Sequence, residues 1–148
     1  PDGNRDVAAT DFYQGAYFTA LEPGEILTAV SIPVQPASHG YAYEKLKRKV
    51  GDYATAAAAV TLTMAGGKVA TCSIALTNLS ETPLLAAAAA EAVIGKHLDE
   101  AALAAAADAA RSIMNPAGDA RGTSEYRTHV GGIMVMRALK RAASRAVA

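Results

Sequence analysis

The chain has no tryptophan, two phenylalanines and a single cysteine among its 148 residues. Cys72 therefore closes no internal disulfide and supplies no CxxC pair for a metal or an iron–sulfur cluster, which fits a reducing compartment such as the cytoplasm. Its setting between Thr71 and Ser73 reads as core packing. Net charge is lacking as well: 14 basic residues balance 14 acidic ones, so no global field draws the chain to nucleic acid or to an anionic membrane surface. No run approaches the roughly 20 apolar residues of a membrane-spanning helix, and no basic stretch followed by an apolar one opens the chain. His39, His97 and His129 have no histidine or carboxylate at a catalytic or metal-binding spacing, and all read as surface residues. GxSxG, GxGxxG and P-loop motifs are missing, and Gly66-Gly67 and Gly131-Gly132 lack the flanks of a phosphate cradle. A free-standing catalyst is not expected.

Alanine fills much of the 51% hydrophobic content. Each alanine buries little surface, yet the length allows one domain with its own core. Pro1 stands where an initiating methionine would, and the chain reads as a fragment. Pro1 to Ala9 is polar and turn-rich, a linker or the trailing edge of a preceding domain. Thr10-Asp11 is placed to cap a short helical turn. Phe12, Tyr13, Tyr17 and Phe18 follow as half of the chain's aromatics, and such a cluster reads first as a packing plug between elements. Glu22-Pro23-Gly24-Glu25 is a turn. Ile26 to Ile32 then reads as a strand that Pro33 ends.

Tyr41 to Ala54, YAYEKLKRKVGDYA, mixes aromatics, charge and a turn as no other segment does. Read as extended chain, it puts Tyr41, Tyr43, Lys45, Lys47 and Lys49 on one face and Ala42, Glu44, Leu46, Arg48 and Val50 on the other. Gly51-Asp52 breaks the strand, and Tyr53 follows on the turn, where a ring can be presented instead of buried. Two readings stand side by side: a ligand-facing arrangement, and a solvated edge strand whose lysines discourage edge-to-edge pairing. LKRK could touch phosphates, but Glu44 and Asp52 dilute it.

Downstream, Ala54 to Met64 and the strand after the Gly66-Gly67 turn alternate as a hairpin. Its second strand shows Ala70, Cys72, Ile74 and Leu76 as the apolar face. Thr82 as N-cap, Pro83 as first residue and Gly95 as terminator bracket a helix from Pro83 to Ile94. Asp99 opens a second helix that runs to about Met114 and is stopped by Asn115-Pro116. Thr123 caps a third, with Tyr126, Val130, Ile133, Met134 and Leu139 on one face and Arg127, Arg137 and Lys140 at its margins. Arg127 could also reach carbonyls or Asp119 in the AGDARG loop. Strands first and helices after give an α+β fold, with helices on one face of an antiparallel sheet.

DFYQGAYFTALEPGEILTAVSIP, YEKLKRKVGDYATAAAAV, TPLLAAAAAEAVIG and GTSEYRTHVGGIMVMRAL together resemble successive landmarks of one family in their usual order. It is the FAD-binding medium subunit of aerobic carbon monoxide dehydrogenase and related molybdenum hydroxylases, including xanthine dehydrogenase. The similarity runs from about Thr10 to Leu139, and KLKRKxGDxA with the later EYR is its most specific part. The resemblance implies that residues 1–9 are the tail of an upstream FAD-binding domain or a linker. Residues 10–148 would be the C-terminal domain, a three-stranded antiparallel sheet packed on a three-helix bundle. It further implies that Tyr53 lies beside the flavin ring, that Leu21 makes another cofactor contact, and that Lys45 and Asp52 are further cofactor-binding candidates. Where family members often read KTGD, this chain has Lys49-Val50-Gly51-Asp52, without the hydroxyl. The family's Gly-rich phosphate loops have no counterpart here, so the main FAD-binding loops are expected upstream.

The implied function is electron transfer. A molybdenum-containing large subunit oxidises substrate, [2Fe-2S] clusters of a small subunit relay electrons, and the FAD that this subunit helps to enclose passes them to an external acceptor. The rival class is a non-catalytic α+β interaction module whose KLKRK strand docks a partner.

Overall fold

The computed structural model describes residues 3–146, and the chain divides into two compact units between Val34 and Gln35.

In the first unit, α1 (Ala9–Phe12) leads into an antiparallel ribbon of β1 (Tyr13–Gly15) and β2 (Phe18–Thr19). Thr10 is not the cap of α1. The N-cap is Ala8, which offers no side-chain bond, and Thr10 lies inside the turn. The aromatic cluster is not a plug either. Phe12 and Tyr13 meet edge to face at 5.3 Å, but Tyr13, Tyr17 and Phe18 are all exposed. The short ribbon turn carries Tyr17 to its tip at a φ of 63°, where the ring is fully exposed among the described residues. The turn before residue 26 forms as expected, with Gly24 at a φ of 89° and Glu25 N–H donating to the Glu22 carbonyl at 3.0 Å. A fork from Arg5 grips it, with Nε on Glu25 Oε1 at 2.7 Å and Nη2 on Glu25 Oε2 at 2.6 Å. Those bonds hold the Glu25 carboxyl down at about 2. Residues 26–32 do not form the expected strand: they join no ladder among the described residues, and Ile26, Leu27, Val30 and Ile32 are exposed. Alternating apolar side chains supply a face, but a strand also requires a partner for its backbone.

The second unit is an α+β body. Its antiparallel sheet runs in the order β3 (Gly40–Leu46), β4 (Ala56–Ala65), β5 (Lys68–Thr77), β6 (Leu84–Leu85), followed by α2 (Ala87–Glu91), α3 (Glu100–Arg111) and α4 (Ser124–Arg145). The sheet thus has four strands, not three, and the first expected helix shrinks to α2. The Thr82-Pro83 start signal is overridden by the open edge of β5. Leu84 and Leu85 pair with Leu76 and Ala75, and Ala86 N–H donates to the Ile74 carbonyl at 2.8 Å. Backbone pairing at a sheet edge outweighs a weak local propensity.

The hairpin forms as its pattern demands. Ala56, Ala58, Val60 and Leu62 point inward and are buried, and Gly66 and Gly67 both take the positive φ of a tight hairpin turn. A bulge moves the partner from Thr71 opposite Thr63 to Val69 opposite Met64. This reverses the side-chain parity, so Val69 is buried while Ala70, expected inside, faces out. α4 lies on β3 and β4, α2 on β5, and α3 packs against α2 and α4. Asp99 caps α3 by accepting from Ala102 N–H at 2.8 Å, and Thr123 caps α4 by accepting from Tyr126 N–H at 3.2 Å. Between sheet and helices Leu62, Ile74, Leu76, Leu79, Leu103, Val135 and Leu139 are fully buried. Each such side chain contributes roughly 1.5–3 kcal/mol. The approach of α4 to the sheet edge is close enough to require glycine at Gly40, where a Cβ would collide with the Ala142 carbonyl oxygen.

Candidate functional site

β3 is an edge strand, and it stops at Leu46 instead of continuing to Val50. Thr55 N–H donates to the Leu46 carbonyl at 2.8 Å, closing residues 47–54 into a loop at one end of the β3–β4 hairpin. Gly51, at a φ of 81°, makes the reversal. The carboxylate of Asp52 then turns back into the loop and is only 8% exposed. It accepts from Tyr53 N–H at 2.9 Å and from Arg121 Nη2 at 2.9 Å, and Arg48 Nε stands 3.7 Å from its other oxygen. With its own N–H tied inward, Tyr53 projects its ring outward, 78% exposed. The guanidinium carbon of Arg121 lies 6.0 Å from the ring centroid, within cation–π range.

Arg121 is held from the opposite side by the loop before α4. Asp119 and Gly122 exchange backbone hydrogen bonds at 3.0 Å each. The Asp119 carboxylate accepts from Arg121 N–H at 2.8 Å and Nη1 at 3.3 Å. This loop is in turn moored by Arg127, which is 5% exposed. Arg127 Nε donates to the Thr55 carbonyl at 3.1 Å, Nη1 to that of Ala117 and Nη2 to that of Asn78. Asn78, at a φ of 62°, donates its amide to the Ala54 carbonyl. Both residues after Tyr53 are therefore fixed by bonds from distant parts of the chain. Donation from Arg121 lowers the Asp52 carboxyl below the usual aspartate range, with burial opposing it. The Arg121 N–H does the same for Asp119. Elsewhere, burial pushes the Cys72 thiol up to about 11, leaving it un-ionised at neutral pH. Among the described residues no cluster of His, Cys, Asp and Glu could hold a metal ion, and no helix is long and apolar enough to cross a membrane.

Three of the four residues implied by resemblance lie at or next to this hairpin end. Asp52 and Tyr53 are in the loop, and Lys45 is exposed on β3 opposite Ala57, just before it. Leu21, 39% exposed, belongs to the first unit. Sequence reasoning missed Arg121, whose partner is 69 positions away. It also exchanged two neighbours: Arg127, expected at a helix margin, is buried, while Tyr126, expected on the inward face, is 47% exposed. The signal was present, because Arg127 lies at i−3 and i−7 from the buried Val130 and Met134.

Fold and site together define an α+β domain that presents an aromatic ring on an ion-paired turn. The CO dehydrogenase flavoprotein C-terminal domain family matches residues 41–142, and the chain belongs to that family. It is 61% identical to the carbon monoxide dehydrogenase medium chain of Afipia carboxidovorans over 146 residues, 99% of this chain and 51% of that one. Superposed on the structure of a Cu,Mo-CO dehydrogenase in its cyanide-inactivated form, it gives a TM-score of 0.97 at 61% identity, covering 99% of this chain and 51% of that one. Quinoline 2-oxidoreductase from Pseudomonas putida 86 is more distant, with a TM-score of 0.87 at 37% identity, covering 95% of this chain and 48% of that one. The chain thus spans about half the length of the relatives it matches.

Proposed function

We propose that this chain is the C-terminal part of the FAD-containing medium subunit of a cytoplasmic molybdenum hydroxylase of carbon monoxide dehydrogenase type. In this reading it encloses the flavin from one side. Residues 1–9 are the tail of an upstream FAD-binding portion or a linker, and residues 10–148 are the C-terminal domain. The partners are a molybdenum-containing large subunit and a small subunit with [2Fe-2S] clusters.

The observation that carries the reading is the exposed ring of Tyr53 on a turn that Asp52 and Arg121 lock. A flat, largely apolar group seats against such a ring by offset stacking. The residues fit a flavin ring system in this respect. Lys45, exposed beside the loop, would offer a cationic donor to a flavin, and Leu21, in the first unit, is carried as a cofactor contact by the family resemblance alone. Asp52 contributes through the turn it shapes: its Oδ1 accepts from Arg121 and from the Tyr53 N–H, and Arg48 stands 3.7 Å from Oδ2. Among the described residues no glycine-rich cradle for a pyrophosphate accompanies this loop, and we assign that task to the upstream portion. The redox chemistry is the cofactor's, taking electrons from iron–sulfur clusters and giving them to an external acceptor. This chain orients the ring system and limits access to it. The 61% identity to a carbon monoxide dehydrogenase medium chain supports that enzyme type over other molybdenum hydroxylases.

The test is Tyr53→Ala in the full subunit assembled with its partners. The visible flavin spectrum and the rate of flavin reduction should both change while the subunit stays folded. If Tyr53→Ala leaves both unchanged and Leu21→Ala alters them, the flavin lies elsewhere. A full-length subunit that binds no flavin would favour a plain interaction module.

A further inference from the structure

We infer that Arg121 is the positioning residue for the Tyr53 ring, setting the angle at which that ring meets the flavin; this rests on the reading just proposed. Two carboxylates fix the guanidinium plane. Nη2 donates to Asp52 at 2.9 Å and Nη1 to Asp119 at 3.3 Å, while the backbone N–H of Arg121 also donates to Asp119, at 2.8 Å. The side chain is 25% exposed, so solvent competes little for these bonds. The guanidinium carbon so fixed stands 6.0 Å from the centre of the Tyr53 ring. Asp52 binds both Arg121 and the Tyr53 N–H through the same oxygen, Oδ1. The backbone of Tyr53 and the cation beside its ring thereby share one reference point. An exposed tyrosine on a loop would otherwise sample several χ1 rotamers, and a held cation beside the ring selects among them.

A lysine would retain the charge and one ion pair but not the planar fork that two carboxylates can hold at once. Arg121→Lys and Arg121→Gln are therefore informative together in the assembled enzyme. They are read by visible circular dichroism of the flavin, its midpoint potential and its reduction rate, beside Tyr53→Ala and the double variant Tyr53→Ala/Arg121→Gln. Arg121→Gln should alter the dichroic band and slow reduction several-fold, Arg121→Lys should do so in part, and the double variant should be no worse than Tyr53→Ala alone. If Arg121→Gln fails to assemble, the lysine variant carries the test by the same readouts. The inference is overturned if both Arg121 variants keep the wild-type dichroism and potential while Tyr53→Ala changes them, an outcome that leaves the flavin reading intact. It is equally overturned if the Arg121 effect persists at full size in the Tyr53→Ala background. Should Tyr53→Ala itself change nothing, the flavin reading fails and the role of Arg121 with it.

Discussion

Arg127 Nε donates to the carbonyl of Thr55, 72 positions earlier, at 3.1 Å in the buried interior. That bond joins the first full turn of α4 to the start of β4, two residues beyond Tyr53. The same guanidinium takes the carbonyls of Asn78, after β5, and Ala117, before α4. One side chain thus gathers the ends of two strands and the loop that carries Arg121.

Arg127→Ala would leave those three carbonyls without their donors. At about 1–3 kcal/mol for each buried group left unsatisfied, and with partial relief from water entering the gap, the loss should be about 2–4 kcal/mol. Arg127→Lys should recover little, because one ammonium does not reproduce a fork that spans three acceptors. Urea unfolding of the chain measures both. A midpoint within error of wild type for Arg127→Ala would mean that the cluster contributes geometry without stability.

Gly40 supplies a second check on how α4 is seated. An added Cβ meets the backbone of Ala142, which cannot swing aside as the tip of a side chain could. Gly40→Ala should therefore cost about 3 kcal/mol, the upper range for overpacking. Gly51→Ala is the contrast: nothing lies within 4 Å of its would-be Cβ, and the cost is confined to its φ of 81°. That strain is about 1–2 kcal/mol. Thermal unfolding should rank Gly40→Ala well below Gly51→Ala.

These cases also show what the sequence made legible. Where chemistry is local it could be read: Gly66-Gly67 as a hairpin turn, Asp99 and Thr123 as caps, and Tyr53 as an exposed ring on the turn after Gly51, although β3 ends at Leu46 and not at the Gly51-Asp52 break. Where the outcome depends on a distant partner it could not. Leu84-Leu85 became a strand because β5 had an open edge, and Ala70 turned outward because a bulge shifted register. Asp52 acquired its main partner from the other end of the domain. The second unit's α+β order followed from periodicity alone, whereas the ion-paired support of the candidate site did not. The Tyr126 and Arg127 exchange is of a third kind: one helical step, about 100°, separates neighbours, and apolar character was the wrong guide to which of them was inside.

Tyr126 illustrates the energetic consequence of that exchange. Its ring lies over Gly122, where a Cβ would stand 2.5 Å from its Cδ1, yet 47% of the residue is exposed. Full burial of a large aromatic would make its removal cost about 3–5 kcal/mol; half burial should reduce this to about 1–2 kcal/mol. The Thr123 cap, which uses only the backbone N–H of Tyr126, survives the change. Tyr126→Ala should lower the melting temperature by less than Arg127→Ala does, and the reverse order would show that the ring is better packed than its exposure indicates.

The pH dependence follows from the two aspartates that hold Arg121. Asp52 and Asp119 have carboxyls lowered from the ordinary 3.8, Asp52 chiefly by the Arg121 side chain and Asp119 chiefly by the Arg121 N–H. A folded pKa below the unfolded one means that the unfolded chain binds the extra protons, so acid favours unfolding. The stabilisation is fully present above the unfolded value and is lost as pH falls through 3.8 toward the lower folded values. Glu25 and Glu125 are lowered as well, so the whole chain carries an acid slope that is not specific to the site. The difference between wild type and Asp52→Asn isolates the site. Asparagine can still accept from the Tyr53 N–H but loses the ion pair, and its deficit in melting temperature should be constant above about pH 5 and shrink toward zero below the folded pKa. Added salt should reduce the deficit only modestly, because the Asp52 carboxylate is 8% exposed. A deficit that stays the same from pH 7 to pH 2.5 would show that the ionisation of Asp52 makes no contribution to its effect.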